Sequence, residues 1–476
     1  LSNLLPGYLF FPTGAPQSRI MIRKIIHRIF RRDGQDPSSR RAIEPAVIPP
    51  ESHSVRRAQI SPGSRRVCEI LQDQGYKAYV VGGAVRDLLT GITPKDFDVA
   101  TDATPDEIRR YLKRSRLIGR RFQIVHAHMG RETIEITTFR GGEKHNAKTD
   151  AHGRILRDNV FGSHAEDAAR RDFTINALYF DPVTEQIIDY HHGLADLQQK
   201  TLRIIGDPKT RYREDPVRML RAVRLAAKLN IFIDPEARRP IREMAVLLEN
   251  VPAPRLFDEI LKMLTSGHAV ECLSALRAEG LQHDTLPLLD TALHDPQGEK
   301  FILLALADTD QRISEGKTSS PAFLFAVLLW REVNVTWKRH CENGEHPQPA
   351  LFQSMSEVLH AQGEKLAITR RIASDIKEIW ALQPRLEQRS GKRVYGVLEH
   401  PRFRAAYDFL LLRGKAGEIP EELAEWWLEF QNAAPNQRAE MLLPTPSEGK
   451  KRRRKRRKKT DSHSEENFPE ETVSNA

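Results

Sequence analysis

Cysteine is scarce in this chain. Three occur among 476 residues, Cys68, Cys272 and Cys341, far apart and with no ligand spacing. That argues against a disulfide framework or a zinc site and fits a reducing, cytoplasmic compartment. Apolar runs are short, and none approaches the roughly 20 residues that cross a bilayer. Acidic residues are missing altogether from residues 1–32. Within that stretch Ile22, Ile25, Ile26, Ile29 and Phe30 recur at helical spacing, while Arg23, Lys24, His27, Arg28 and Arg31 fill the other face. The pattern predicts a short basic amphipathic helix over 20–32, suited to a membrane surface or an acidic protein partner. A transit peptide or a poorly ordered leader has the same composition. Met21 opens this helix, so part of the first twenty residues reads as an extension ahead of the native start.

Positive charge is abundant, and it is concentrated. The net charge is +10, and Lys450–Lys459 is ten Lys or Arg in ten residues, so the remainder of the chain sums to about zero. Such a block repels itself. It predicts a disordered tail over 436–476 with a general attraction for a polyanion, RNA before DNA. A solubilising tail or a nuclear localisation signal is the plainer alternative.

Ahead of the tail the pattern divides the chain. Residues 1–60 are the basic segment and a Pro-, Ser- and Arg-rich linker. Residues 61–200 alternate short strands and helices, an α/β head with a small mixed sheet. Residues 201–270 and 271–435 are helical, a neck and a body. In the head the expected strands are 78–81, 97–100, 122–129 and 133–140, with a helix over 84–90. Thr104-Pro105-Asp106-Glu107 is a helix start with a capping box, and the helix is expected to run to about Arg114. Residues 141–156 read as a mobile loop. Residues 321–330 read as a buried helix, and 391–408 as a basic helical pair that is either a solvated face or an RNA contact.

Two chemical devices stand side by side in the head. Tyr79-Val-Val-Gly-Gly-Ala-Val-Arg-Asp closes an apolar strand with Gly82 and Gly83 and opens a helix. Two glycines there let backbone N–H groups approach a phosphate, which a helix N-terminus favours. Arg86 follows, free to hold a triphosphate or to pair with its neighbour Asp87. Then Asp96 and Asp98, two apart in an extended run, point their carboxylates to one face. Paired carboxylates repel unless a cation sits between them, and hard oxygen ligands suit Mg²⁺. A phosphate cradle beside a metal pair is what nucleotidyl transfer requires.

These residues resemble the class II nucleotidyltransferases, a family of CCA-adding tRNA nucleotidyltransferases and bacterial poly(A) polymerases. The resemblance continues through Arg170-Arg-Asp-Phe-Thr-Ile-Asn-Ala-Leu and Tyr212-Arg-Glu-Asp-Pro-Val-Arg-Met-Leu-Arg. It implies two Mg²⁺ ions on Asp96 and Asp98 with Glu135 as third carboxylate, ATP as substrate, nucleotide contacts at Arg171 and Asp172, and Asn176 near the ribose. It also implies that Asp215, Arg218 and Arg221, three apart on one helical face, read the base without a template. By chemistry alone that face is equally a salt-bridged surface, and Asp172 equally a buried ion-pair partner.

Residues 117–126, residues 391–408 and the basic tail resemble the poly(A) polymerase branch, which implies template-independent addition of AMP to RNA 3′ ends and marking of RNA for decay. CCA addition to tRNA is the alternative. A catalytically inert RNA-binding protein is a remoter one, since the carboxylates are intact. A phosphohydrolase reading would rest on Gln282-His283-Asp284 and Leu293-His294-Asp295-Pro296, which lack partner ligands.

Overall fold

The computed structural model describes residues 44–119, 123–141, 148–149, 155–157, 160–281, 293, 295–363 and 366–444. The amphipathic segment 20–32, the expected tail from 445 onward, Gln282-His283-Asp284 and His294 therefore lie outside the described residues; Asp295 is described and caps the helix Pro296–Ser314, and residues 436–441 of the expected tail are instead part of the helix Pro435–Met441.

The head is built on one mixed sheet. Its strands are β1 (Ala46–Ile48), β2 (Ala78–Val81), β3 (Asp98–Thr101), β4 (Ser115–Ile118), β5 (Ile124–Met129), β6 (Glu132–Thr138), β9 (Leu178–Phe180) and β10 (Ile187–Asp189), with β7 (Lys148–Thr149) and β8 (Ile155–Arg157) forming a separate antiparallel hairpin. The order across the sheet is β1-β10-β9-β2-β3-β6-β5-β4, and only the central β3–β6 pair is parallel. Alternation decides the faces. In β6, Ile134 and Ile136 are buried while Thr133 and Glu135 are exposed, as the two-residue period requires. The buried face packs on the helices Pro62–Asp73 and Gly83–Leu89 through Val67, Leu71, Val85, Val99 and Ile136. The helix Pro105–Tyr111 starts on the expected box: Thr104 N–H donates to Glu107 Oε2 at 2.8 Å and Glu107 N–H to Thr104 Oγ1.

Several expectations change. The presumed linker contains β1, which pairs with β10 at the sheet edge, and it buries Val55 and Ile60 in the head core. Pro45, Pro49 and Pro50 around β1 disguise it, because proline is tolerated only at such edges. The helix after Thr104 stops at Tyr111, and the basic stretch beyond it becomes the edge strand β4. Part of the presumed loop 141–156 is the β7–β8 hairpin, while residues 142–147 and 150–154 lie outside the described residues.

From Pro208 the regular structure of the described residues is helical except for β12 (Phe232–Ile233), which pairs in parallel with β11 (Thr201–Leu202). Neck and body share one core that runs from Phe173 to Ala416 and includes Trp330 and Trp380. The helix Pro321–Glu342 lies deep in it, as its composition predicts. Residues 391–408 do form a helical pair, Arg393–Leu398 and the start of Phe403–Ala416, packed on a smaller core around Trp427 and Phe430. Among the described residues no helix is long and apolar enough to cross a membrane, and Cys68, Cys272 and Cys341 are free thiols.

Candidate active site

Sheet register brings the two devices together. Val81, the last residue of β2, pairs with Asp98, the first of β3. The glycine turn that follows Val81 therefore adjoins the carboxylate. Gly82 has φ +75°, and a Cβ there would lie 3.6 Å from Arg171 Nη1. The left-handed backbone calls for glycine, while the neighbour stands at ordinary contact distance. On the other side β3 runs parallel to β6 with Val99 opposite Ile136, which sets Asp98 one step from Glu135 on the same face.

Asp98 opens onto the cleft, yet its carboxyl is pushed up to about 6, first by the protein packed around it and then by Glu135, with Arg171 opposing and Asp96 adding to the rise. Asp96 sits exposed on the loop entering β3. Glu135 Oε1 meets His126 Nε2 at 3.2 Å across the β5–β6 pair. Among the described residues no three carboxylate, histidine or cysteine side chains are gathered to hold one metal ion. The donor chemistry nevertheless fits a hard divalent cation: these are carboxylate oxygens on adjoining strands, and a cation between them would offset the burial and the Glu135 charge that raise Asp98.

Behind this pair lies a buried polar layer. Asp167, on the helix His164–Ala169, takes Arg171 Nη2 at 3.0 Å and the Tyr179 hydroxyl at 2.7 Å. Burial would raise the Asp167 carboxyl, but Arg171 and Tyr179 outweigh it and hold the group below the usual range. Asp172 Oδ1 accepts from Phe173 N–H at 2.8 Å and Asn176 Nδ2 at 3.1 Å, and Oδ2 faces Arg221 Nη2 at 2.8 Å. Here too burial is outweighed, chiefly by Arg221, and the carboxyl stays low.

Arg86 is buried, and its guanidinium is committed to Asp87 Oδ1 at 2.8 and 2.5 Å and to Asn176 Oδ1 at 2.5 Å. Of the two roles the sequence leaves open, the structure takes the pairing with Asp87. Arg86 also supports Asn176 and, through it, Asp172, and it does not line the cleft described below. Lys228 of the neck meets Asp87 Oδ2 at 2.9 Å.

The neck supplies the opposite wall, with one change of geometry. Asp215, Arg218 and Arg221 are not on one helix. The helix Pro208–Glu214 ends at Asp215, whose backbone is extended, and Val217–Leu229 begins after Pro216. Proline excludes the helical conformation for the residue before it. Asp215 Oδ2 is paired with Arg255 Nη2 at 2.8 Å, while Oδ1 is buried with no hydrogen-bond partner among the described residues. Arg218 Nη1 donates to Glu214 Oε2 at 2.9 Å and to the Arg211 carbonyl at 2.7 Å. Arg211 in turn donates to the carbonyls of Arg170 and Arg171, both at 2.7 Å, stapling neck to head.

Between the walls lies a cleft of about 670 Å³, lined by Asp98, Glu135, Arg171, Asp172, Asp215, Arg218 and Arg221 of the expected residues. Gly82, Gly83, Arg86, Asn176 and Asp96 adjoin or support the cleft without lining it. Sequence reasoning missed Asp167, Glu214 and Arg255, which also line it. Asp167 stands four before Arg171 and could have been found as a helical ion pair. Arg255 had no local signal.

Three family models match in chain order: the poly A polymerase head domain over residues 78–203, the probable RNA and SrmB-binding site of polymerase A over 230–293, and the polymerase A arginine-rich C-terminus over 343–460. Poly(A) polymerase I of Salmonella typhimurium is 44% identical over 408 residues, covering 83% of this chain and 88% of that protein. The chain belongs to the poly(A) polymerase I family. A CCA-adding enzyme of Levilactobacillus brevis matches over less, 39% identity across 46% of this chain and 54% of its own length. In three dimensions this chain shares its fold with the Bacillus stearothermophilus CCA-adding enzyme in complex with CTP, at TM-score 0.50 and 24% identity, covering 78% of this chain and 84% of that one.

Proposed function

We propose that this protein is a polynucleotide adenylyltransferase that extends RNA 3′ ends with AMP from ATP, without a template, and works in the cytoplasm. The observation that carries the reading is the cleft in which Asp98 and Glu135 of the sheet face Asp215, Arg218 and Arg221 of the neck.

Asp96, Asp98 and Glu135 are the residues that would hold Mg²⁺. Such ions, when bound, acidify the RNA 3′-hydroxyl and neutralise charge on the triphosphate and its leaving group. The chain's own residues do the positioning. The helix start at Gly83 offers its backbone N–H to the phosphates, with Arg171 beneath the turn, while the Gly82 N–H is held by the Leu178 carbonyl. Asp172 and Asn176 fix the ribose region, braced by Arg86 and Arg221. The free oxygen of Asp215 accepts from an exocyclic amine, and Arg218 donates to the ring nitrogen beside it. That pattern accepts adenine or cytosine and refuses guanine or uracil, whose donors and acceptors are reversed. Cleft size then has to separate A from C, which is why CCA addition is the second reading. Positioning and charge stabilisation carry the reaction, and no protein nucleophile is required.

Primer extension tests this. An unstructured RNA with a free 3′-hydroxyl is offered each NTP separately with Mg²⁺, using wild type and Asp96→Ala/Asp98→Ala. We expect a long ladder with ATP alone, lost by more than a hundredfold in the double variant. Two or three nucleotides added only to a tRNA lacking its CCA end would establish the second reading. RNA binding with no extension of either substrate would mark an inert binding protein.

A further inference from the structure

The most exposed large apolar side chain among the described residues is Phe232, at 78%. It sits on β12, where a phenylalanine in water gains nothing for folding. It borders an open groove of about 580 Å³, together with Ile233, Pro235, Arg238, Arg239 and Arg242 of the adjoining helix Pro235–Met244, and Ala278 and Glu279. This groove shares no lining residue with the catalytic cleft.

Its arginines are arranged. Arg238 is tied to Glu279 at 2.7 Å. Arg242 donates to the Ala278 carbonyl at 2.9 Å and lies over Gly280, where a Cβ would come within 3.3 Å of its Nε. Arg239 is exposed and makes no ion pair or hydrogen bond among the described residues. The next most exposed large apolar residue, Val246, follows Arg242 by one turn at 57%. Against three arginines the groove sets one carboxylate.

We propose that this groove binds single-stranded RNA upstream of the reacting 3′ end, with one base stacked on Phe232 and neighbouring phosphates on Arg239 and Arg242. An open aromatic face beside fixed guanidinium groups is what sequence-tolerant binding of single strands uses, since every base has a π-face and every nucleotide a phosphate. A protein partner would have to bring an acidic counterpart to Arg239, whereas every nucleotide of a single strand carries its own phosphate. All of the lining residues fall in the segment matched by the probable RNA and SrmB-binding site of polymerase A. The proposal rests on the polyadenylation reading and adds to it a holding site separate from the catalytic cleft.

The full chain is titrated against a long, end-labelled oligoadenylate by fluorescence anisotropy across a salt series, as wild type, Phe232→Ala, Phe232→Trp and Arg239→Gln. Phe232→Ala is expected to weaken binding about tenfold, and the deficit should persist at high salt, where attraction from the basic tail is screened. Phe232→Trp should bind as wild type or better. Arg239→Gln should lower the magnitude of the log–log salt slope by about one. Single-nucleotide addition with saturating RNA and ATP should stay at the wild-type rate in all three. Wild-type affinity and slope in both Phe232→Ala and Arg239→Gln would overturn the proposal and leave a protein partner as the groove's occupant. Absence of extension by the wild-type protein would instead strike the polyadenylation reading, so the two failures are distinguishable.

Discussion

His164 stacks against both Tyr79 and Phe139, with ring centroids 4.9 and 4.7 Å away, and Tyr179 and Tyr190 meet it edge-on at 4.2 and 4.9 Å. Its Nε2 is buried with no partner among the described residues. Burial, with smaller contributions from Lys77 and Arg171 opposed by Asp167, pushes its pKa down to about 3. The unfolded chain binds this proton near the usual value of about 6.5 while the folded chain refuses it. The histidine's contribution is therefore whole above pH 6.5 and is lost as pH falls toward 3, at up to about 1.4 kcal/mol per pH unit. His164→Phe keeps the stack and removes the proton acceptor. Its melting temperature is expected to fall less steeply than wild type between pH 6.5 and the acid transition. Parallel acid limbs would mean that the ring is protonated in place. This residue reads in sequence only as the first position of a capped helix, Ser163 to Glu166. The aromatic box around it comes from four separate segments and has no local pattern.

The helix Val217–Leu229 holds the neck to the head at two levels. Arg221 reaches Asp172, and Lys228, two turns on, reaches Asp87. Asp87 also carries Arg86, so the two links differ in consequence. Lys228→Met leaves Asp87 paired, and with Lys228 partly exposed the cost should be about 1 kcal/mol. Asp87→Asn leaves the buried Arg86 and the partly exposed Lys228 close together without their shared carboxylate, and should cost about 3 kcal/mol. Urea unfolding of both single variants and the double variant checks this, and equal losses would mean that Asp87 is not shared. At this scale the sequence was legible where one local rule governs: the glycine turn between β2 and its helix, the Thr104 box, the alternation in β6. It was illegible where distant partners decide. Proline-flanked β1 needs β10 to become a strand. Lys228 and Asp87 lie 141 residues apart and Asp215 and Arg255 40 apart, distances at which spacing carries no signal. The Asp215–Pro216 break was available from proline chemistry and was overridden by a helical repeat of three.

Across the whole molecule charge and packing separate. The core from Phe173 to Ala416 joins neck and body, whereas the net charge of +10 equals the ten positive residues of Lys450–Lys459. Deleting 450–459 should therefore leave the melting temperature unchanged while weakening RNA binding, with the magnitude of the log–log salt slope falling by at most about 7, the single-strand limit for ten contacts. An unchanged slope would show that the block does not touch RNA. The two-level hold on Val217–Leu229 bears on the product as well. A beam resting on two supports does not pivot about either one, so the residues we propose to read the base return to the same setting after every addition. Such a device has one letter and no counter. Nothing in it registers how many letters have been written, so product length becomes a matter of odds, the chance of one more addition against the chance of release, and a population of tails should carry a geometric spread rather than a defined end.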